Sequence, residues 1–223
     1  MAWPYLIRFS FPGVPNIGCY FGTKISVPAD NQETEPELGI FERRELNQVH
    51  GTNIFFEPGE ADPLPEADGQ ASSAPGQALL IRTADCQPIM VADKSGKYIL
   101  ALHCGWRGNR AGFPATGIKR FCEFYRLDPE DILAVRGPSL GPGCSEFRDF
   151  ERHWPQSMLG YLNLENSCLD LWSLTRDQLL TAGMRRENIF SLDLCTHCLS
   201  EAFFSYRRSK DQGRMENVIW IRG

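Results

Sequence analysis

Three apolar segments of strand length follow one another in the middle of the chain, and they limit its architecture more than any other feature. They are ALLIRT at 78–83, PIMVAD at 88–93 and KYILALH at 97–103. Each is too short for a typical helix, and the turn signal DKSG separates the second from the third. The centre of the chain is therefore predicted to be a β-sheet.

Helices and further strands surround this sheet. Residues 109–127 place apolar side chains at three- and four-residue spacing, as an amphipathic helix does. Asp170 is a suitable N-cap for a second helix over 171–183. Shorter strands are predicted within 3–27 as two edge strands, and at 54–57, 189–194 and 218–222, while 132–143 is predicted to be a strand that runs into a glycine-rich loop. Because strands and helices alternate without a regular period, we predict one α+β domain over 1–223, with mixed sheets and outer helices.

Two polar stretches are predicted to be irregular. Residues 28–38 are acidic and indicate a surface loop, and residues 58–77 are rich in glycine and proline and indicate a long connection. Connections of that length within a domain are uncommon and are often functional. The glycines between 137 and 143 also suggest a loop able to receive an anion, although such a pattern is weak evidence.

Charge and hydropathy narrow the classes of partner. The net charge of -5 argues against a general nucleic-acid binder, which needs lysine and arginine to neutralise phosphates. No segment approaches the roughly 18 apolar residues of a membrane span, and no signal-like start is visible. We therefore expect a cytoplasmic protein whose partners are small molecules, with neither nucleic acid nor a membrane involved, and the sequence leaves the oligomeric state open.

The chain has 8 cysteines, and most are interpreted as reduced core residues. Cys195 and Cys198 form a C-x-x-C pair in CTHC. Structural zinc needs four ligands, and no second pair stands at zinc-ribbon spacing. We therefore interpret both as core thiols.

Three residues stand in turns that suit a reactive site. His50 lies in NQVHG, Cys86 in TADCQP and His103 in HCGWRG, each next to a predicted strand. If the strands flanking Cys86 and the strand before His103 share one sheet, their turns can meet at one edge. Two imidazoles and a thiolate are zinc ligands that leave a fourth position open for water or substrate. Isolated histidines and cysteines at strand ends are, however, more often structural.

Two arginines and an aspartate lie close in sequence to these turns. Arg82 and Arg107 suit the binding of phosphate or carboxylate, because the guanidinium forms paired hydrogen bonds with such groups. Arg107 is equally able to pack on the Trp106 ring. Asp85 is a candidate to orient a histidine through a hydrogen bond, or simply to cap its own turn.

A series of motifs also carries a family resemblance. In chain order they are NQVHG, EADG, RTADCQP, HCGWRG, RGPSLGP, DLWSLTRDQLLTAG, CTHC and FFSYRR. Over roughly residues 46–222 the chain resembles the YfiH-like family, known as the multicopper polyphenol oxidase (laccase) or purine nucleoside phosphorylase family and as the peptidoglycan editing factor family. It departs from the family pattern in the segment NIGCYFG, at Cys104 and at Gly143–Cys144.

The resemblance implies a fold, a metal and an activity. The implied fold is a four-layer α/β/β/α sandwich related to that of cysteine hydrolases. The implied metal is zinc or copper, held by His50, Cys86 and His103. The implied activity is phosphorolysis of adenosine and inosine, with accompanying adenosine deamination, so that nucleoside and phosphate would be the substrates.

Two other activities remain as alternatives. In the first, Cys86 is the nucleophile of an amide hydrolase that edits peptidoglycan precursors, with His103 or His50 as its base. The second is copper-dependent phenol oxidation. It ranks last because laccase-type electron transfer needs several coppers with many histidine ligands, and this chain has 4 histidines.

Overall fold

The computed structural model describes residues 6–24, 41–59, 61–210 and 212–222. The surface loop predicted at 28–38 lies outside these residues. In the described part of the chain, no helix combines the length and apolar character that a bilayer crossing requires.

The three central apolar segments are strands, but they do not share one sheet. They form β6 (Gln77–Thr83), β7 (Gln87–Asp93) and β8 (Ile99–Cys104). Strands β7 and β8 pair antiparallel, whereas β6 belongs to a second sheet. The expectation that Cys86 sits between two strands of one sheet is therefore wrong. The short link that carries Cys86 instead crosses from one sheet to the other.

Two mixed sheets make up the β-structure around these strands. The remaining strands are β1 (Leu6–Arg8), β2 (Ile17–Gly22), β3 (Glu42–Arg44), β4 (Ile54–Phe56), β5 (Gly69–Ser72), β9 (Ile132–Arg136), β10 (Leu162–Asn163), β11 (Cys168–Leu169), β12 (Ile189–Ser191) and β13 (Met215–Ile221). One sheet has the order β1-β2-β13-β6-β3 and the other β12-β9-β7-β8-β5-β4, while β10 and β11 form a separate hairpin. Of the two predicted N-terminal edge strands, only β1 lies at an edge, because β13 pairs with β2.

The sheets pack face to face around the main core. One buried cluster contains Phe21, Ile81 and Ile219 of the five-stranded sheet together with Met90 and Val135 of the six-stranded sheet. All five side chains are 0% exposed. Burying such side chains stabilises a fold by about 1.5–3 kcal/mol each relative to leaving them in water. This apolar layer therefore fixes how the two sheets are placed, and with them the crossover at Cys86.

Five short or medium helices complete the described structure. They are α1 (Trp106–Arg110), α2 (Phe113–Tyr125), α3 (Phe150–His153), α4 (Leu171–Thr181) and α5 (Tyr206–Ser209). The single helix predicted over 109–127 is two helices, because Gly112 adopts a left-handed φ of +72° between α1 and α2. Asp170 caps α4 as predicted, since its carboxylate accepts a hydrogen bond from the Ser173 amide.

Helices α2 and α4 cover the outer face of the six-stranded sheet through Ile118, Phe121 and Leu179. The α+β class with mixed sheets and outer helices is thus confirmed. The fourth layer of the expected sandwich, over the outer face of the five-stranded sheet, stays a prediction. So does the assignment of the whole chain to one domain.

The stretch 58–77 is not wholly irregular, because it contains β5. This strand, GQAS, is fully buried between β4 and β8. Gln70 explains how so polar a strand is tolerated. Its amide nitrogen donates hydrogen bonds of 2.9 Å to the carbonyls of Arg44 and Leu80, which belong to the other sheet.

Candidate active site and metal centre

A buried aspartate that the sequence analysis did not single out organises the candidate site. Asp68 is 0% exposed and directly precedes β5. One of its carboxylate oxygens accepts hydrogen bonds from the His50 amide at 2.9 Å and from Nδ1 of His103 at 2.7 Å. The other accepts from the amides of Gly51 at 2.5 Å and Val49 at 3.3 Å. One carboxylate therefore holds both histidines in position.

These hydrogen bonds decide the charge of the carboxylate. Burial by itself raises the pKa of Asp68, but the hydrogen bonds from His103, Gly51 and His50 outweigh burial and lower the pKa below its ordinary value. Asp68 is therefore an anion at neutral pH. Because it accepts the proton on Nδ1, the Nε2 atom of His103 is left free to bind a metal or to accept a proton.

His103 and Cys86 form a coupled pair next to this carboxylate. Burial lowers the pKa of His103, but the Cys86 thiolate and Asp68 outweigh it and raise the pKa to about 9. Burial raises the pKa of Cys86, but His103 and His50 outweigh it and lower the pKa to about 6. Without a metal, the pair is thus a thiolate beside an imidazolium at neutral pH.

The structure brings His50, Cys86 and His103 together. One ligand atom from each lies within 4.8 Å of the other two, and the two imidazole rings are 4.8 Å apart between centroids. His50 reaches this position through a left-handed φ of 60°, and the hydrogen bond that its backbone amide donates to Asp68 holds it there. Two imidazoles and a thiolate, with a carboxylate behind one imidazole, are a donor set that fits zinc or copper.

Gly105 leaves no spare room beside this trio. A Cβ atom at this position would lie 3.0 Å from the Cys86 sulfur and 3.2 Å from Cδ2 of His50. The backbone of Gly105 is extended, with φ -78° and ψ -179°, so that conformation alone would permit other residues. The glycine is therefore required by the close approach of the chain to the site.

The two predicted arginines both line the adjoining cavity, but their surroundings differ. Arg82 forms salt bridges with Glu45 at 2.8 Å and with Glu216 at 3.3 Å. Arg107 stacks on the Trp106 ring, with its guanidinium carbon 4.4 Å from the ring centroid. None of the described carboxylates forms a salt bridge with Arg107. The positive charge of Arg107 is therefore more available to an anion than that of Arg82.

Asp85 also lines the cavity, but the suggested role of accepting a hydrogen bond from a histidine is wrong. Its carboxylate accepts hydrogen bonds from the Thr196 hydroxyl at 2.7 Å and from the Arg207 amide at 2.6 Å. Asp85 therefore anchors the loop at Thr196 and the start of α5, and Asp68 contacts the histidine instead. The EADG motif, which places an aspartate directly before a buried strand, is the signal that points to Asp68.

The cavity above the trio has a volume of about 920 Å³ and mixed walls. Aromatic surface comes from Trp106, Phe147 and Tyr206, and Arg207 adds a third guanidinium. Phe147, Tyr206 and Arg207 were not identified as site residues because they lie far along the chain from the trio; Tyr206 and Arg207 belong to the FFSYRR motif, which was the signal for them. A cavity of this size with cationic and aromatic walls suits a small anionic or aromatic ligand.

Other cysteines and glycines near the site take part in packing. Cys104 borders the cavity but is only 1% exposed, and its sulfur accepts a hydrogen bond from the Asn109 side chain at 3.2 Å. Gly137 packs on Phe21, where a Cβ would lie 2.2 Å from the ring. The interpretation of Cys195 and Cys198 as core thiols is wrong, because Cys195 is half-buried and Cys198 is exposed.

Comparison with known proteins identifies the family of this chain and supports its fold. A family model described as multi-copper polyphenol oxidoreductase laccase matches residues 16–222. The purine nucleoside phosphorylase YfiH of Escherichia coli (strain K12) is 35% identical over 182 residues, which cover 79% of this chain and 72% of that protein.

Two solved structures share the fold. Neisseria meningitidis protein NMB0706 superposes with a TM-score of 0.83 at 23% identity, covering 99% of this chain and 100% of that chain. YlmD from Geobacillus stearothermophilus superposes with a TM-score of 0.82 at 23% identity, covering 100% of this chain and 98% of that chain.

Proposed function

This chain belongs to the multi-copper polyphenol oxidoreductase laccase family, and from that membership we propose that it is a purine nucleoside phosphorylase. Its substrates would be a purine nucleoside and phosphate, because the 35% identical relative carries that activity in its name. One observation carries the proposal. A single cavity holds the His50–Cys86–His103 trio, a guanidinium that pairs with no carboxylate among the described residues, and several aromatic faces.

Arg107 is the proposed phosphate-binding residue. Phosphorolysis requires phosphate to approach the anomeric carbon, and a guanidinium binds phosphate oxygens through paired, charge-assisted hydrogen bonds. Arg107 faces the cavity and stacks on Trp106, which keeps its planar group in place. Arg82 would assist, although Glu45 and Glu216 already offset its charge.

The aromatic walls would bind the purine. Trp106 and Phe147 lie with their ring centroids 5.8 Å apart and line the same cavity, to which Tyr206 contributes a half-exposed ring. Stacking on aromatic faces favours flat heterocycles, and such contacts contribute about 1–3 kcal/mol per base in other proteins. This wall would select a purine over a smaller leaving group.

His50, Cys86 and His103 would hold the zinc or copper ion. When bound, such an ion supplies Lewis-acid chemistry and lowers the pKa of a bound water, which is what adenosine deamination requires. The protein contributes the preorganised ligands. Asp68 keeps the proton on Nδ1 of His103, and the two imidazoles favour the thiolate form of Cys86. Activity on adenosine and inosine, with accompanying deamination, is therefore part of the proposal.

Product analysis tests the proposal directly. Purified protein with measured zinc and copper content is incubated with adenosine or inosine, with and without phosphate. We expect phosphate-dependent release of adenine or hypoxanthine together with ribose 1-phosphate, and loss of that activity in Cys86→Ala. Absence of ribose 1-phosphate, or full activity in Cys86→Ala, would refute it.

A matched pair of variants tests the phosphate site in the same assay. Arg107→Ala is expected to raise the KM for phosphate at least tenfold, because a charge-assisted contact worth about 1.5–3 kcal/mol is removed. Arg110→Ala is the control, since Arg110 lies exposed on the same helix α1 and does not line the cavity. Equal KM values in the two variants would reject Arg107 as the phosphate ligand.

A cysteine-dependent amide hydrolase is the second candidate, and the coupled pair favours it. A thiolate with a pKa of about 6, beside an imidazole that is oriented by a buried carboxylate, is the arrangement of a nucleophilic cysteine. This candidate predicts that metal-stripped protein cleaves amide-linked peptidoglycan precursors and forms an acyl-enzyme on Cys86. Copper-dependent phenol oxidation ranks last, because the whole chain has only 4 histidines.

A further inference from the structure

A second group of sulfur and nitrogen donors lies outside the trio. One ligand atom from each of Cys144, His197 and Cys198 lies within 4.8 Å of the other two. Cys144 follows β9, and His197 and Cys198 follow β12, which pairs parallel with β9. The two loops therefore leave the same end of neighbouring strands. This placement brings together residues that are far apart along the chain.

Cys195 supplies a fourth donor. The Cys144 and Cys198 sulfurs are 3.4 Å apart, and Cys195 lies near Cys144, because burial together with the Cys198 and Cys195 thiols raises the pKa of Cys144. The amide of Gly141 donates a hydrogen bond to the Cys195 sulfur at 3.2 Å, and the amides of His197 and Cys198 also face it. Amides that converge on the first sulfur of a C-x-x-C turn stabilise a thiolate there.

A guanidinium next to the cluster would offset the negative charge of metal-bound thiolates. The Arg208 guanidinium donates hydrogen bonds of 2.8 Å to the carbonyls of Thr196 and His197, within the same turn. Three thiolates and one imidazole around a divalent cation carry a net charge of about -1, which a neighbouring guanidinium offsets. A positive charge is therefore already in place beside such a centre.

We propose that Cys144, Cys195, His197 and Cys198 form a second metal centre, which binds a structural zinc ion. Three cysteines and one histidine are a ligand set of structural zinc sites, and Zn–S bonds of about 2.3 Å place ligand atoms roughly 3.8 Å apart. For Cys144, His197 and Cys198, the sulfur–sulfur distance of 3.4 Å and the 4.8 Å limit on their ligand atoms bracket that value, and Cys195 would complete the set from the same turn as His197 and Cys198. Each thiol that is protonated in the metal-free protein releases its proton to solvent on binding.

This centre would fasten one wall of the main cavity. The hydroxyl of Thr196, inside the CTHC turn, donates a hydrogen bond to Asp85, and the backbone amide of Arg207 donates another to the same carboxylate. Arg208 ties α5 to the same turn. A zinc ion joining the turn to Cys144 would therefore order α5, and with it the cavity residue Arg207.

A disulfide between Cys144 and Cys198 is the competing chemistry. It would need an oxidant, and it would leave Cys195 and His197 without a role. A zinc site uses all four donors and also the amides that face Cys195. The geometry therefore favours the metal, and the disulfide becomes an outcome that the experiment detects.

Zinc content tests the proposal in a protein whose first site is disabled. Cys86→Ser is purified with zinc supplementation and without strong chelators, and compared with Cys86→Ser/Cys198→Ser. We expect about one zinc per chain in the first and at least a tenfold lower content in the second. Cys86→Ser/Cys122→Ser is the control, because Cys122 lies on α2, away from the cluster, and should keep its zinc. No zinc in Cys86→Ser, or equal content in all three, would overturn the proposal.

Alkylation of the wild-type protein gives a readout that needs no variant. Cys198 is exposed, so iodoacetamide should modify it rapidly after zinc is removed by a chelator. We expect zinc to slow modification of Cys144, Cys195 and Cys198 at least tenfold, as measured by peptide mass spectrometry. Equal rates with and without zinc, or a Cys144–Cys198 disulfide in protein purified under reducing conditions, would also overturn it.

Discussion

Replacement of Asp68 by asparagine tests how the candidate active site is held together. The carboxylate accepts two hydrogen bonds on each oxygen, and an asparagine keeps the shape but offers an acceptor at only one of the two positions. If its NH₂ group faces the amides of Val49 and Gly51, it meets two backbone N–H donors, which cannot become acceptors. If the NH₂ group faces His50 and His103, only the His50 amide is a conflicting donor, because the imidazole can move its proton from Nδ1 to Nε2 and accept a hydrogen bond.

The second orientation is therefore favoured, and it has a chemical consequence. Nδ1 of His103 becomes an acceptor for the asparagine NH₂, so that the ring proton moves to Nε2. An Nε2 that carries a proton cannot bind a metal. We expect Asp68→Asn to lower zinc affinity at the trio by about 10- to 100-fold. The lost charge-assisted hydrogen bonds should lower the free energy of unfolding by about 2–4 kcal/mol.

Competition with a chromophoric chelator measures the affinity, and urea unfolding measures the stability. Asp93→Asn is the matched control, because Asp93 is 3% exposed and its carboxylate accepts the amides of Ser95, Lys97 and Tyr98 at the far end of β7. Asp93→Asn should lower the free energy of unfolding by a similar amount and leave the zinc affinity unchanged. Zinc affinity in Asp68→Asn within twofold of wild type would refute the reasoning about the tautomer.

Two further predictions concern the same site. Gly105→Ala would place a Cβ 3.0 Å from the Cys86 sulfur and 3.2 Å from the His50 ring, so we expect zinc affinity to fall about tenfold, or ~1.4 kcal/mol. Gly160→Ala, which has open space around it, is the control, and equal zinc affinities would contradict this prediction. In metal-free protein the pKa of Cys86 is lowered to about 6, so its alkylation rate should be constant above that pH and fall tenfold per unit below it. A midpoint near the ordinary thiol value of about 8.5 would contradict the thiolate–imidazolium pair.

The central strands and the start of α4 follow from local sequence. The apolar segments 78–83, 88–93 and 97–103 become strands because each is short and is bounded by turn residues. Asp170 begins a helix because its carboxylate satisfies a free amide in the first turn. Such features depend on neighbours along the chain, and the residue order contains that information.

Some residues of the candidate site could likewise be predicted from the sequence, and others could not. His50, Cys86 and His103 were predictable because each is a ligand-forming side chain in a turn next to a predicted strand. Asp68 carried a weak signal only, since a buried carboxylate is recognised by its four donors and not by its neighbours in sequence. The same holds for Cys144 and Cys198, whose sulfurs lie 3.4 Å apart although 54 positions separate them.

The sequence by itself determined the strand-forming segments, the helix cap and the residue types able to bind a metal. Only the tertiary structure decided that β6 and β7 belong to different sheets, that the polar strand β5 is buried, and that Asp68 rather than Asp85 contacts His103. The physical reason is that burial and hydrogen bonding between distant segments depend on how the two sheets pack. That packing sums many weak apolar contacts over the whole core, and no single stretch of residues contains it.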